Sequence, residues 1–205
     1  MKEIAIIDYG LCNLDSVGRA VEKCGGTPVI TDDPEMVTSA DGIILPGVGS
    51  FNDAMRNLTE RGFVAPLRQR VLGEVVPFLG ICLGMQLMAS LGHEGGKIAG
   101  LDLIPGEIVR LIPDAPETRI PHVGWNEVVW AAECLLAEGI PTGTDFYFVH
   151  SFHFCCDERY IMSRTPYCGG IVSTVGRDRC FGVQFHPEKS LAMGQRLLRN
   201  FIALC

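Results

Sequence analysis

The sequence lacks the features by which several broad classes of protein are recognised. None of its apolar runs approaches the roughly 20 residues that a membrane-spanning helix needs. The formal net charge is −7, so the basic face that a nucleic-acid backbone requires is not indicated. The stretch Met1-Lys2-Glu3 leads directly into apolar residues, which is unlike a secretory signal peptide. These observations favour a globular cytoplasmic protein with no membrane or nucleic-acid partner.

Motifs for phosphate, dinucleotide and metal binding are also missing. Gly96-Lys97 is followed by isoleucine and lacks the upstream glycine spacing of a Walker loop. Gly47 and Gly49 lack the third glycine of a dinucleotide fingerprint. The nine cysteines are an odd number and include no C-x-x-C pair, so we expect no metal, cofactor or redox motif. We interpret the adjacent pair Cys155-Cys156 as small apolar filler in a reducing compartment.

The arrangement of apolar segments indicates an α/β protein. The 205 residues suffice for one domain with a sizeable core, and 47% hydrophobic with 20% charged residues is typical of a globular chain. In the first half, strands at 4–7, 28–30 and 42–45 alternate with helices at 13–23, 33–39, 50–58 and 64–72. This alternation predicts a central, mostly parallel sheet with helices on both faces.

The second half contains more strands and fewer helices. Strands are predicted at 107–111, 127–130, 146–150, 171–175 and 180–185, a flexible loop at 92–100, and a final helix from 192. There is no internal repeat, low-complexity stretch or long linker, so residues 1–205 are predicted to form a single domain.

The stretch GICLG at residues 80–84 has the pattern of a nucleophile elbow. An apolar run at 75–79 precedes it, and good helix formers follow at 85–89. Glycine on either side of Cys82 permits a sharp strand-to-helix turn at the carboxyl edge of the sheet. The free N–H groups of the following helix favour a thiolate. Cys82 is therefore a candidate nucleophile, and the simpler alternative is a buried structural cysteine.

A histidine and a glutamate follow a predicted strand near the other end of the chain. The alternation in 181–185 predicts a strand that ends at His186. Histidine can take the proton of a thiol and later return it to a leaving amine near neutral pH. The carboxylate of Glu188 can hold the second imidazole nitrogen and fix its tautomer. Cys82, His186 and Glu188 thus form a candidate catalytic triad.

The third candidate stretch is PGVGS at 46–50, which follows the apolar residues 43–45. A loop with two glycines can aim backbone N–H groups at the oxyanion that develops during acyl transfer. Taken alone, it is equally compatible with an ordinary turn between a strand and a helix.

Together these three stretches resemble the class I, or triad, glutamine amidotransferases, which release ammonia from glutamine through a Cys-His-Glu triad. The resemblance covers essentially the whole chain. It implies a γ-glutamyl thioester at Cys82, with His186 as base and then acid and Glu188 orienting it. It also implies an oxyanion hole formed by the backbone amides of Val48 and Leu83. The residues that it implies for glutamine binding are Gly47, Gly49, Gln86, Ser151 and Phe152.

Further stretches resemble one branch of this family, the glutaminase subunits of imidazole glycerol phosphate synthase in histidine biosynthesis. These stretches are PHVGWN at 121–126, YFVHS at 147–151 and the lysine directly after Glu188. The resemblance implies a heterodimer with a (β/α)₈ cyclase or synthase subunit, into which ammonia passes directly. The residues that it implies for the partner interface are Asn13, Trp125, Tyr147 and Lys189.

Several alternatives stay open at this point. Cys12 stands where the family commonly has glycine or another small residue, and Phe152-His153 replaces a commoner tyrosine-containing pair. A paralogue that supplies ammonia to an enzyme aminating a surface sugar is therefore an alternative. Others are a peptidase or γ-glutamyl hydrolase of the same fold, and a non-catalytic, thiol-sensing regulatory subunit. Individually, Trp125 could be core, Ser151 a strand-end cap and Gln86 a solvated helix residue.

The glycines on both sides of Val48 suggest a regulatory movement. They would permit a peptide flip that presents or withdraws the Val48 amide. We therefore expect the isolated chain to be a poor glutaminase that its partner activates.

Overall fold

The computed structural model describes residues 1–131 and 133–205. Within these residues the strands are β1 (Glu3–Ile7), β2 (Thr27–Thr31), β3 (Gly42–Leu45), β4 (Phe78–Ile81), β5 (Leu91–Gly92), β6 (Ile98–Ala99), β7 (Gly106–Arg110), β8 (His122–Trp130), β9 (Thr144–His150), β10 (Phe152–Cys156), β11 (Ile161–Thr165), β12 (Ile171–Arg177) and β13 (Cys180–Val183).

The α-helices are α1 (Leu14–Lys23), α2 (Phe51–Glu60), α3 (Val64–Arg68), α4 (Leu83–Leu87) and α5 (Leu191–Leu204). Short 3₁₀ turns lie at Pro34–Thr38, Leu135–Ala137, Glu158–Tyr160 and Pro187–Lys189, and a π-helical turn lies at Gln69–Gly73. In the described part of the chain, no helix is both long and apolar enough to span a bilayer.

The main sheet has nine strands in the order β2-β1-β3-β4-β13-β12-β11-β8-β9. Its first five strands are parallel, and the pairings from β13 to β9 are antiparallel. A second, four-stranded sheet has the order β10-β7-β5-β6. Because β3, β4 and β13 are parallel neighbours, their carboxyl ends meet at one edge, where ligands bind in such sheets.

Alternation along the parallel strands divides the core into two clusters. In β1, Ile4 and Ile6 pack with α1 and α5 on one face, whereas Ala5 and Ile7 pack with α2 and α3 on the other. Successive strand residues point to opposite faces, so a strand that is buried on both sides reads as a continuous apolar run. This is why the first strands are predictable from the sequence.

Two strands begin three or more residues away from their predicted starts. The strand before Cys82 begins at Phe78 rather than at 75, because Val75 has a φ of 56° and Pro77 has no N–H for a ladder. Strand β8 begins at His122 rather than at 127. Its inward-facing positions include a histidine, which obscures the apolar alternation that the prediction relied on.

Strands β10 and β11 and the hairpin of β5 and β6 have no counterpart in the prediction. The segment 92–100, predicted as a flexible loop, is bounded by antiparallel pairs, Leu91 with Ala99 and Gly92 with Ile98. In β10 and β11, cysteine, histidine, serine and arginine interrupt the apolar pattern. Their pairing with distant strands therefore decides their conformation.

Candidate active site

Cys82 lies at a sharp turn between β4 and α4. Its backbone has φ 53° and ψ −108°, a region that non-glycine residues adopt only under strain. The neighbouring glycines have no room for a side chain. A Cβ on Gly80 would lie 2.7 Å from the Gly84 carbonyl oxygen, and one on Gly84 would lie 1.7 Å from that of Leu45. This close approach explains the GICLG pattern, and the geometry is that of a nucleophile elbow.

His186 reaches the same edge from the neighbouring strand. Strand β13 runs parallel to β4 with Val183 opposite Ile81, so the two chain segments leave the sheet side by side. The Nδ1 atom of His186 lies 2.8 Å from Oε1 of Glu188, and their side chains are only 4% and 2% exposed. A buried carboxylate at this distance fixes the orientation and tautomer of the ring.

The charge state of His186 is governed by two neighbours. Burial alone would lower the pKa of His186, but charge interactions with Cys82 and Glu188 and the hydrogen bond to Glu188 outweigh this effect and raise the pKa to about 10. Among the described residues, Nε2 of His186 is buried and has no partner at ordinary hydrogen-bond distance. This nitrogen is therefore free to exchange a proton with the nearby thiol.

A cavity of about 260 Å³ opens beside Cys82. Its lining residues are Val48, Gly49, Cys82, Leu83, Gln86, Glu94, Pro121, Val149, His150, Ser151 and Phe152. The fold thus brings together all the positions predicted for the oxyanion hole and for glutamine binding except Gly47. That glycine packs against Tyr9 instead, where a Cβ would come within 2.0 Å of the hydroxyl oxygen.

The two expected oxyanion donors differ in their present hydrogen bonding. The backbone N–H of Val48 donates to the carbonyl oxygen of Leu11 at 2.8 Å. Leu83 is the first residue of α4, where a backbone N–H has no partner within the helix. The Leu83 amide thus has no partner within its helix, whereas the Val48 amide is engaged by Leu11.

Two buried glutamines connect the cavity wall to Cys82. Gln86 Nε2 donates to the carbonyl oxygen of Phe152 at 2.9 Å and to Oε1 of Gln184 at 3.0 Å. Gln184 Nε2 in turn donates to Sγ of Cys82 at 3.6 Å. Gln86 is 5% exposed, so its interpretation as a solvated helix residue is wrong.

The chain matches a known protein family over nearly its whole length. The family model described as glutamine amidotransferase class-I matches residues 5–205. The chain belongs to this family. The amidotransferase is 49% identical to imidazole glycerol phosphate synthase subunit HisH of Moorella thermoacetica, over 98% of this chain and 94% of that protein. It is 41% identical to subunit HisH of Archaeoglobus fulgidus, over 97% of each chain.

Solved structures with low sequence identity share the fold of this amidotransferase. A structure described as a glutamine amidotransferase superposes with a TM-score of 0.77 at 18% identity and covers 98% of this chain and 97% of that one. The structure of PurLQS from Thermotoga maritima gives a TM-score of 0.75 at 18% identity and 99% coverage of both chains.

A pair of buried histidines in the amidotransferase was missed by sequence reasoning. Nδ1 of His122 lies 3.0 Å from Nε2 of His150, and Nδ1 of His150 lies 2.8 Å from the carbonyl oxygen of Phe152. Asn126 Nδ2 lies 3.2 Å from Nε2 of His122. Burial lowers the pKa of His122 to about 4 and that of His150 to about 3. Both rings are therefore neutral. The Nδ1–H of His122 donates to Nε2 of His150, and the Nδ1–H of His150 donates to the carbonyl oxygen of Phe152.

The alternation of β8 and β9 places a different set of residues on the outside. Trp125 is 49% exposed, so its interpretation as a core residue is wrong, and Val123 on the same face is 56% exposed. Trp125 pairs with Tyr147 across the strands, with ring centroids 6.1 Å apart. Lys189 places its Nζ 5.8 Å from the Tyr147 ring. Asn13 is exposed just before α1.

Proposed function

We propose that this amidotransferase is the glutaminase subunit of an imidazole glycerol phosphate synthase in histidine biosynthesis. It hydrolyses L-glutamine to glutamate and ammonia. The observation that carries the glutaminase assignment is the buried His186–Glu188 pair beside the elbow Cys82, which lines a cavity of about 260 Å³. The assignment to this synthase rests on relatives of that name at 41–49% identity over nearly the full chain.

The triad divides the reaction into two acyl transfers. The Cys82 thiolate attacks the carboxamide carbon of glutamine and forms a tetrahedral oxyanion. His186 gives its proton to the amide nitrogen, the C–N bond breaks, and ammonia leaves a γ-glutamyl thioester. His186 then removes a proton from water, which attacks the thioester and releases glutamate and the thiolate. Glu188 keeps the ring in one orientation throughout.

The cavity walls also suggest how glutamine is held. Among the described residues that line the cavity, Glu94 carries the carboxylate that the α-ammonium group of glutamine requires. Its Oε2 accepts the N–H of Phe51 at 2.7 Å, which holds the side chain in place. Both N–H groups of Gln86 are occupied, so Gln86 offers its carbonyl oxygen to the substrate. Gly49, Ser151 and Phe152 complete the contact surface.

The engaged Val48 amide makes the resting chain a weak catalyst. Its hydrogen bond to Leu11 at 2.8 Å must break before the amide turns toward the substrate. Loss of one oxyanion donor costs about 10²–10³ in turnover, so one peptide flip is enough to switch the enzyme. Leu11 belongs to the loop that continues to Asn13, so a partner bound at Asn13 is placed to trigger this flip.

The partner is a (β/α)₈ synthase subunit that covers the exposed aromatic face of β8 and β9. Ammonia in neutral water is protonated and loses its nucleophilicity, so it must pass directly into a closed site. Trp125, Tyr147 and Lys189 form the rim against which the partner packs. The heterodimer works in the cytoplasm, where the cysteines stay reduced.

The test is co-expression with a histidine-pathway synthase subunit of (β/α)₈ type. We expect a stable heterodimer whose glutaminase turnover rises at least about 100-fold when the synthase substrate is bound, since one oxyanion donor is gained. Lack of association together with stimulation by a sugar-aminating enzyme would assign the chain to the paralogue. Hydrolysis of peptides or γ-glutamyl peptides in preference to glutamine would contradict an amidotransferase function altogether.

A further inference from the structure

Gln184 lies outside the triad, and its side chain contacts Sγ of Cys82. It is fully buried, and its Nε2 lies 3.6 Å from Sγ of Cys82. The carbonyl oxygen of Val149 lies 3.7 Å from the same sulfur on another side. A thiol can donate its proton to that carbonyl, but a thiolate needs a donor, which Gln184 supplies.

The orientation of the Gln184 amide is determined by a chain of hydrogen bonds with only one consistent polarity. The chain starts at the carbonyl oxygen of Phe152, which can only accept. Gln86 must therefore present its NH₂ group to this oxygen, at 2.9 Å, and the same NH₂ group then faces Gln184 at 3.0 Å. Gln184 must therefore accept this hydrogen bond with its side-chain oxygen, so its own NH₂ group points at Cys82.

The reversed orientation is disfavoured at both ends. If the Gln184 amide were rotated by half a turn, two NH₂ groups would face one another and an oxygen would face the sulfur. A buried polar group without a partner is costly. The starting carbonyl is itself held by a second donor, Nδ1 of His150 at 2.8 Å. The network therefore provides a rigid N–H donor aimed at the nucleophile.

We propose that Gln184 is a further catalytic residue, which stabilises the Cys82 thiolate through its side-chain N–H, and that Gln86 is a positioning residue which holds this amide in its productive orientation. The inference rests on the role of Cys82 proposed above. No proton moves through Gln184. Its hydrogen bond favours the thiolate before attack on glutamine and again when the sulfur leaves the thioester, because charge-assisted hydrogen bonds are stronger than neutral ones.

The test measures the ionisation of Cys82 directly. The purified chain is treated with iodoacetamide over a range of pH, and alkylation of the Cys82 peptide is followed by mass spectrometry, since the thiolate is the reacting form. Gln184→Met removes the donor with little change in volume. We expect Cys82 alkylation at pH 7 to fall about tenfold or more, and its pH profile to move to higher pH, since a hydrogen bond to a charged group has this magnitude.

Two further variants separate donation from positioning. Gln86→Met leaves the Gln184 donor present but removes its orientation, so we expect a smaller decrease, about threefold, in the same direction. Gln69→Met makes the same substitution at an exposed helical position and should leave the profile of Cys82 unchanged. A merely structural role would not produce this order of pH shifts.

The buried thiol of Cys180, which does not line the cavity, serves as an internal control for folding. It should stay protected in each variant. If Gln184→Met exposes it, Gln184→Leu provides a shorter non-donor side chain at the same position, and Gln86→Met provides an independent test. An unchanged Cys82 profile in a folded non-donor variant would overturn the proposal. The assay requires no glutamine turnover, so its outcome is separate from that of the proposed function, which fails if Cys82→Ala still hydrolyses glutamine.

Discussion

The parallel and antiparallel halves of the main sheet contribute to the site in different ways. In the parallel half, the reactive groups lie on the segments that leave β3, β4 and β13 at one edge. In the antiparallel half, side chains within β8 and β9 contribute, and the two faces of the strands differ. Inward positions carry His122 and His150, and outward positions carry Trp125 and Tyr147. Parallel strands thus position reactive side chains at their carboxyl ends. In the antiparallel pair, the buried histidines lie on one face and the exposed aromatic side chains on the other.

The two halves also differ in the charge of their buried histidines. In the parallel half, interactions with Cys82 and Glu188 raise the pKa of His186 to about 10, whereas burial lowers the pKa of His122 to about 4 and that of His150 to about 3, so these two rings stay uncharged. One protein therefore contains buried histidines whose pKa values are shifted in opposite directions. Burial lowers the pKa of a histidine, and interactions with neighbouring charged groups decide whether the pKa finally rises or falls.

The largest expected effect is the loss of the nucleophile in the parallel half. Cys82→Ala should reduce glutamine hydrolysis about 10⁴-fold or more, because removal of the nucleophile of a triad has effects of this size. Ammonium supplied externally should still support the partner's synthase reaction. Cys155→Ala, which changes an exposed cysteine, is the matched control and should retain activity. Residual hydrolysis above about one part in a hundred in Cys82→Ala would exclude Cys82 as the nucleophile.

The elbow should also be the most sensitive point for folding. Gly84→Ala places a methyl group 1.7 Å from the Leu45 carbonyl oxygen, while at Gly73 there is open space around the same added atom. We expect Gly84→Ala to lower the free energy of unfolding by about 3 kcal/mol, at the upper end for overpacked sites. Gly73→Ala should change it by less than about 1 kcal/mol. Urea denaturation of both variants measures the contrast, and equal stabilities would mean that the elbow can relax.

Acid should selectively destabilise the antiparallel half. His122 and His150 have folded pKa values of about 4 and about 3, below the value near 6.5 of an unfolded histidine. The unfolded chain therefore binds more protons, and stability falls as pH drops from about 6.5 toward these values, by up to about 1.4 kcal/mol per pH unit for each group. His122→Phe keeps a stacking ring and should flatten this decline. A decline of unchanged slope would exclude His122 as a contributor.

Alkali should act on the parallel half, in the opposite direction. The folded pKa of His186 is raised to about 10, so its stabilising contribution is fully present below the unfolded value near 6.5 and is lost as pH rises toward 10. The difference in the free energy of unfolding between wild type and His186→Gln should therefore become smaller as pH rises from about 6.5 to about 10. Chemical denaturation at several pH values provides the measurement, and a difference that widens with pH would contradict the sign of the shift.

The smallest expected effect is at the outer rim. Lys189 lies directly after the triad and places its Nζ 5.8 Å from the Tyr147 ring. An exposed pair with a partner carboxylate contributes only about 1 kcal/mol, so Lys189→Ala should reduce activation by the synthase substrate about fivefold and affect heterodimer formation less. Lys97→Ala, in an exposed hairpin turn, is the control. Wild-type stimulation of Lys189→Ala at saturating partner would mean that this lysine is solvated surface.

The sequence by itself determined the elements in which local pattern and final environment agree. The positions of three elements were predictable because a local requirement sets each of them. The glycines around Cys82 permit a tight turn, the apolar runs before each loop form buried strands, and the stretch from His186 to Glu188 follows a strand end. The α/β fold followed because doubly buried strands and amphipathic helices alternate along the first half of the chain. Even there, the start of β4 was predicted too early, at Val75, because the positive φ of that residue cannot be recognised from the hydrophobic pattern.

Only the tertiary structure decided which polar groups meet. The hydrogen bonds from Gln86 to Gln184 and from His122 to His150 join residues far apart in the chain, and nothing near either residue specifies its partner. The same holds for the Val48 amide, whose partner Leu11 lies on the loop after another strand. A buried polar group must find a partner somewhere, but which partner depends on the register and packing of the whole sheet.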